Sequence, residues 1–134
     1  MTDTTTAITA LGAASILLRL ALGGLFVVHG YPKLFTNRNQ IQQAMAGAGV
    51  PPTVTGLVGT LEFFGGIALI VGFLTPLVAG LFAVLMGSTT LLQRLKFHKS
   101  FAGGYELDVV LMVASIALIV LGAGAISLDA LIGV

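Results

Sequence analysis

The chain has 134 residues, of which 57% are hydrophobic and 8% charged, with a formal net charge of +1 and no cysteine. A water-soluble domain of this length needs a far larger polar fraction to cover its surface, so the composition is that of a membrane protein. The small net charge gives no argument for nucleic acid, and the lack of cysteine excludes a disulfide framework, a thiol relay, an iron–sulfur cluster and a cysteine zinc site within this chain.

Before Ala7 the sole charge is Asp3, and nothing basic precedes the first apolar run. That run is therefore expected to be a retained span and not a cleaved leader. Crossing the hydrocarbon takes roughly 20 mainly apolar residues. Four segments qualify: residues 11–30, 54–73, 76–95 and 106–122. Backbone inside lipid has to satisfy its own hydrogen bonds, so each is assigned as a helix.

The first connection, residues 31–53, is the longest. Ile41, Ala44, Met45 and Ala48 recur at helical spacing until Gly49 and Pro51-Pro52 end the pattern. This predicts a short amphipathic helix at the membrane surface. The second connection is tight. Gly72 can close one helix, Thr75 can cap the next, and Pro76 suits a first-turn position. The third and second spans should form an antiparallel hairpin. The third connection carries Arg94, Lys96 and Lys99. With Lys33 and Arg38, five of the six basic residues lie in the two connections on one side. The positive-inside rule then puts both long connections in the cytoplasm and both termini outside. The expectation is a single all-α domain, an integral membrane four-helix bundle running up-down-up-down. A short interfacial helix lies in its first connection. The apolar tail after Gly122 is expected to return as another short helix, capped by Ser127.

Arg19 lies inside the first span and cannot be neutralised by losing its proton, so lipid tolerates it only with a partner. Counting the rise per residue, Arg19 lies about 16 Å from the inner end of its helix and Glu62 about 12 Å from the inner end of the second. The expected partner is Glu62. The pair is either a polar site at mid-depth or a structural clamp. Glycines 23, 24, 30, 56, 59, 65 and 66 would let these two helices approach closely.

A second constellation gathers at the inner surface. His29, Tyr31 and Lys33 stand where the first span leaves the membrane, and Glu106 and Asp108 stand where the fourth enters it. A histidine near an acid exchanges protons near neutral pH. Against this, Lys33 reads equally as a positive-inside anchor, Tyr31 and Tyr105 as interfacial aromatics, and Glu106 and Asp108 as acids favoured by a helix dipole. His29 and His98 are the chain's two histidines, and nothing sets them at the matched depth a haem needs. No metal or covalent cofactor is expected. Ser88, Thr89 and Thr90 should bond their own helix backbone, and Met45, Met86 and Met112 should serve packing.

Taken in order, these residues resemble the DoxX family of small four-helix membrane proteins. The likeness runs through Leu18-Arg-Leu-Ala-Leu-Gly-Gly-Leu-Phe26, His29-Gly-Tyr-Pro-Lys-Leu34, Gly49-Val-Pro-Pro52 and Leu61-Glu-Phe-Phe-Gly-Gly66. It continues through Gly72, Thr75-Pro76, Gly103-Gly-Tyr-Glu-Leu107, Gly122-Ala-Gly124 and Ser127-Leu-Asp129. Asp108 departs from it, standing where an apolar residue is usual, and so does Ala123, where proline is common. No family role is carried onto Asp108. The family name derives from a membrane subunit of a thiosulfate:quinone oxidoreductase, and relatives are linked to quinone, thiol and oxidative-stress chemistry. The resemblance thus implies the fold strongly and the reaction weakly.

The leading expectation is a subunit of a quinone-linked redox system of the inner membrane. Arg19, Glu62, His29 and Glu106 would bind a quinone-like head group and handle its protons, with Lys33, Tyr105 and Asp108 as secondary candidates. A soluble redox partner on the cytoplasmic side would supply electrons. Two alternatives belong to other classes: a non-catalytic anchor for soluble redox enzymes, and a small-molecule or proton carrier. The sequence leaves open a homo- or hetero-oligomer.

Overall fold

The computed structural model describes residues 3–134, and every regular element among them is helical. They are α1 (Thr4–Tyr31), α2 (Arg38–Gly47), α3 (Pro52–Val71), α4 (Thr75–Leu95), α5 (Glu106–Leu121) and α6 (Leu128–Ile132). Four helical stretches are long and apolar enough to cross a bilayer: Thr4–Thr36, Pro52–Val71, Thr75–Leu95 and Phe101–Leu121. Leu17, Leu57, Val84 and Val120 are each more than 60% exposed. Water would penalise such a surface and hydrocarbon does not, so the bundle's outside is a lipid-facing surface.

The first span outruns its apolar core at both ends. Asp3 caps it, accepting the Thr6 amide at 2.7 Å. At the other end Pro32 has no N–H to donate, and the coil continues as a wide turn over Pro32–Thr36, closed by Asn37 N donating to Pro32 O at 2.9 Å. The surface helix α2 forms as the spacing predicts and stops at Gly49, whose φ is +87°. Pro52 then opens α3. Gly72 ends α3 in the left-handed region, as expected, with Phe73 N reaching back to Ala68 O at 2.8 Å.

The helices pack as two close pairs, α1 on α3 and α4 on α5. Glycine sets the first pair. A Cβ on Gly23 would lie 2.6 Å from Gly66 O, and one on Gly30 would lie 2.8 Å from Gly59 O, so no larger residue permits this approach. Gly24 and Gly56, expected in the same seam, face open space. The pairs join through a core of Leu22, Phe26, Leu69, Phe82 and Leu118. The Phe26 and Phe82 rings stack there with centroids 3.7 Å apart, and Gly65 leaves the room Phe82 needs. The connection makes α3 and α4 antiparallel as expected. They touch sparingly, however, and the two pairs separate toward the end that carries the long connections. That end is called the loop end below, and the opposite one the terminal end.

Candidate functional site

At the terminal end the structure corrects the expected pairing of Arg19 with Glu62. With Gly23 against Gly66 and Gly30 against Gly59, Arg19 falls opposite Ile70, and Glu62 falls near the last turn of α1. Eight residues separate Ile70 from Glu62, about 12 Å along the helix, and Glu62 pairs with Lys33 and not with Arg19. Arg19, 5% exposed, instead spends its fork on backbone carbonyls. Nε donates to Leu69 O at 3.1 Å and Nη2 to Ile70 O at 3.0 Å, while Nη1 donates to Ala123 O at 2.7 Å and Ile126 O at 2.8 Å. Leu69 and Ile70 lie at the negative end of the α3 dipole, where a cation belongs. The opposite charge comes from Asp129, which acts on Arg19 through space and not by a direct ion pair.

Asp129 is 3% exposed and does two further jobs. Its carboxylate accepts the Leu74 amide at 2.6 Å and the Thr75 amide at 2.9 Å, capping α4 from the far end of the chain. Its own N–H donates to Gly72 O at 2.8 Å. The expected cap, Thr75, cannot serve. It is already inside the helix behind Leu74, and its buried hydroxyl has no hydrogen-bond partner among the described residues. The tail returns as expected, with Ser127 Oγ accepting the Ala130 amide at 3.1 Å. Ser15 Oγ pins the tail by donating to Gly122 O at 2.6 Å. Every buried polar side chain of this cluster except Thr75 has a hydrogen-bond partner among the described residues, the pattern of a clamp.

The loop end is built differently. Between the two helix pairs lies a cavity of about 650 Å³, within the range of small-molecule sites. Its walls are mainly apolar, with Val58 of α3, Leu85 and Met86 of α4, and Met45 of α2 closing one side. Glu62, 2% exposed, lies on this wall and receives Lys33 Nζ on both oxygens, at 2.8 and 2.7 Å. Two features let Lys33 reach it. The wide turn after α1 re-aims the side chain, and Gly59 leaves space for the lysine stem, since a Cβ there would lie 2.8 Å from Lys33 Cβ. Facing them, Gln93 at the end of α4 donates its amide to Asp108 in the first turns of α5. His29 also lines the cavity, half-buried, and its ring has no protein hydrogen-bond partner among the described residues. A shallower concavity beside the start of α2, lined by Leu34, Phe35 and exposed polar side chains, holds no buried charge.

The structure thus gathers Glu62, His29, Lys33 and Asp108 around one volume and leaves three candidates outside it. Arg19 belongs to the clamp. Glu106 is exposed at the start of α5, and its carboxylate accepts the Gly103 amide at 3.1 Å, so it closes a turn and does not face the cavity. Tyr105 packs edge-on against Phe101 with centroids 5.6 Å apart. Ser88, Thr89 and Thr90 bond their own helix backbone, as expected. Sequence reasoning missed Gln93 as a site residue and Asp129 as a cap. Gln93 had a signal, standing one helical turn after Thr89 on the same face of α4. Asp129 had none: the first turns of α1, α2 and α3 lack an acid just as that of α4 does, so nothing local pointed to a distant cap.

Four lipid-length helices and a polar-dotted cavity between two helix pairs define a multi-pass membrane protein with a small-molecule-sized site. The DoxX family model matches residues 14–95. Two relatives extend the likeness across most of the chain. The "Putative oxidoreductase CatD" of Bacillus subtilis (strain 168) is 30% identical over 115 residues, 86% of this chain and 84% of that protein. The "Inner membrane protein YqjF" of Escherichia coli (strain K12) is 33% identical over 122 residues, 87% of this chain and 90% of that protein. The chain belongs to the DoxX family. No solved structure matches it.

Proposed function

We propose that this chain is the inner-membrane subunit of a quinone-linked redox system, and that the loop-end cavity holds a quinone-like head group. One observation carries the reading. The cavity is large enough for a substituted ring, and most of its walls are apolar. It presents one uncommitted imidazole, His29, between two polar pairs, Lys33–Glu62 and Gln93–Asp108. A histidine there can hydrogen-bond a ring oxygen and hand it a proton or take one from it. The names of the two relatives, "Putative oxidoreductase CatD" and "Inner membrane protein YqjF", agree with this assignment. Electrons would come from a soluble partner. Arg94, Lys96 and Lys99 are exposed around the loop end and would offer it a basic docking face. The same basic residues orient the loop end toward the cytoplasm by the positive-inside rule.

The test is a titration of purified full-length protein, in detergent, with a decyl-substituted benzoquinone. His29→Ala and Glu62→Gln should each weaken binding by about tenfold, the worth of one hydrogen bond to a charged or buried group. Affinity unchanged in both variants removes the cavity as the site.

A further inference from the structure

The polar groups on the cavity wall differ in how firmly they are held. Gln93 and Asp108 are half-buried, and Lys99 is exposed, its ammonium 6.0 Å from the centre of the Phe97 ring. The Gln93 amide gives one N–H to Asp108 and keeps a second beside its carbonyl, so this side of the cavity offers donors and acceptors alike. Thr55, 3% exposed on α3, turns its hydroxyl to Pro51 O at 3.4 Å. Lys33 is different. An ammonium has three N–H donors, and Lys33 gives its bonds to the two oxygens of Glu62, at 2.8 and 2.7 Å. The remaining N–H has no protein acceptor among the described residues. The Lys33 side chain is 21% exposed and lines the cavity, while the Glu62 carboxylate that grips it is buried. A lysine in apolar surroundings ordinarily stretches toward water. Here the buried carboxylate, the gap over Gly59 that seats the stem and the wide turn over Pro32–Thr36 hold it in place. The spare N–H is thus a charged donor fixed before any ligand arrives, and charged donors form the stronger hydrogen bonds.

We infer that Lys33 is the anchoring residue of the cavity, donating to an acceptor oxygen on the ligand's ring, and that Glu62 is a positioning residue that acts through Lys33. The inference rests on the quinone-site reading and names the group within that site that takes hold of the ligand. The chemistry follows from the donor. A ring carbonyl offers its lone pairs to the ammonium, and the C=O bond weakens as its oxygen accepts. Lys33 and Glu62 cancel in charge, so the ligand has no counter-charge to supply and a neutral carbonyl suffices. Both Glu62 oxygens are taken by the ammonium, which leaves the carboxylate to aim the lysine. His29, four residues earlier on the same coil, lines the same cavity and adds a second, uncharged donor.

The experiment follows the decyl-substituted benzoquinone on full-length protein in detergent, by its dissociation constant and by its carbonyl stretch in the infrared difference spectrum. Isotope labelling of the carbonyl carbons assigns the band. On wild-type protein one carbonyl band should lie below its position in empty detergent micelles. Lys33→Met should weaken binding about tenfold and move that band back toward the micelle position. Lys33→Arg, which restores a charged donor, should recover the band and most of the affinity. Glu62→Gln should also weaken binding about tenfold, and the double variant Lys33→Met/Glu62→Gln should match either single variant within about twofold. The double variant removes both charges together, so it keeps the test open if Lys33→Met alone leaves Glu62 buried without a partner and does not fold. A double variant with wild-type affinity and wild-type band position overturns the anchor and leaves the quinone site standing. A double variant about a hundredfold weaker than wild type, the product of two separate losses, overturns the positioning role, because Glu62 then touches the ligand itself. Wild-type protein that binds no quinone rejects the quinone-site reading, and the anchor with it.

Discussion

The two ends of this bundle each bury ionisable groups in a region meant for lipid, and they use them in opposite ways. At the terminal end Arg19 donates to four carbonyls on two segments, and Asp129 accepts two amides of a third. At the loop end Glu62 and Asp108 also have partners, Lys33 and Gln93, but these pairs stand on the walls of a cavity of about 650 Å³, and His29 beside them is unspent. A buried charge inside a membrane is thus a poor guide to function by itself. What separates a clamp from a site is whether polar capacity is left over and whether there is space to use it.

The largest effect expected from this contrast is on stability at the terminal end. Arg19→Leu removes the group that ties α3 to the returning tail and leaves Asp129 buried without its opposite charge. Breaking one partner out of such an arrangement costs about 3–5 kcal/mol. Unfolding in detergent, followed by circular dichroism, should show it. Arg19→Lys should recover only part of the loss, because an ammonium cannot span four carbonyls as the planar fork does. Ligand affinity of whatever protein stays folded should not change. An Arg19 variant that keeps full stability but loses ligand binding would reverse the roles assigned to the two ends.

The next effect is smaller and tests how the clamp is wired. Asp129→Asn keeps one acceptor for the α4 amides and turns an N–H₂ toward the other. Loss of a cap of this kind costs about 0.5–2 kcal/mol. Because Arg19 and Asp129 act on each other, the double variant should cost less than the two single losses added together, with a coupling of about 0.5–3 kcal/mol. Strict additivity would mean that Arg19 is held by the carbonyls alone.

Much of the fold was legible in the sequence, because lipid leaves the backbone few choices. Four apolar lengths, the Gly72 stop and the glycine seam between α1 and α3 all follow from local rules. The partners of the charges were not legible, for an identifiable reason. Depth was counted from Gly30, where the apolar run ends. The helical coil continues to Thr36, which shifts α1 along α3 and carries Arg19 past Glu62. Lys33 looked like a surface anchor for the same reason, since its reach to Glu62 depends on the wide turn after Pro32 and the gap over Gly59. Asp129 is distant in sequence from everything it holds, so no local pattern placed it on α4. The cavity was half legible: His29, Glu62, Lys33 and Asp108 were candidates as residue types, but the separation of two helix pairs that brings them together is a property of packing.

The smallest effect contrasts two carboxylate caps at the same end of the molecule. Asp129 caps α4 from a buried position, and Asp3 caps α1 in the open, its oxygen accepting Thr6 N. The backbone and side-chain hydrogen bonds from Thr6 hold the Asp3 carboxyl below its ordinary value, with slight desolvation opposing them. A carboxylate whose folded value is depressed stabilises at pH above its unfolded value, and that contribution fades as pH falls through the folded one. Water replaces the exposed bond readily, so Asp3→Ala should leave global unfolding unchanged and act on the first turn alone. Amide hydrogen exchange at Thr6 and Ala7 should quicken, and the same quickening should develop in the wild type on acidification below the ordinary range of an aspartate. If acidification in that range instead loosened the whole bundle while Asp3→Ala did not, the response would not come from the Asp3 cap.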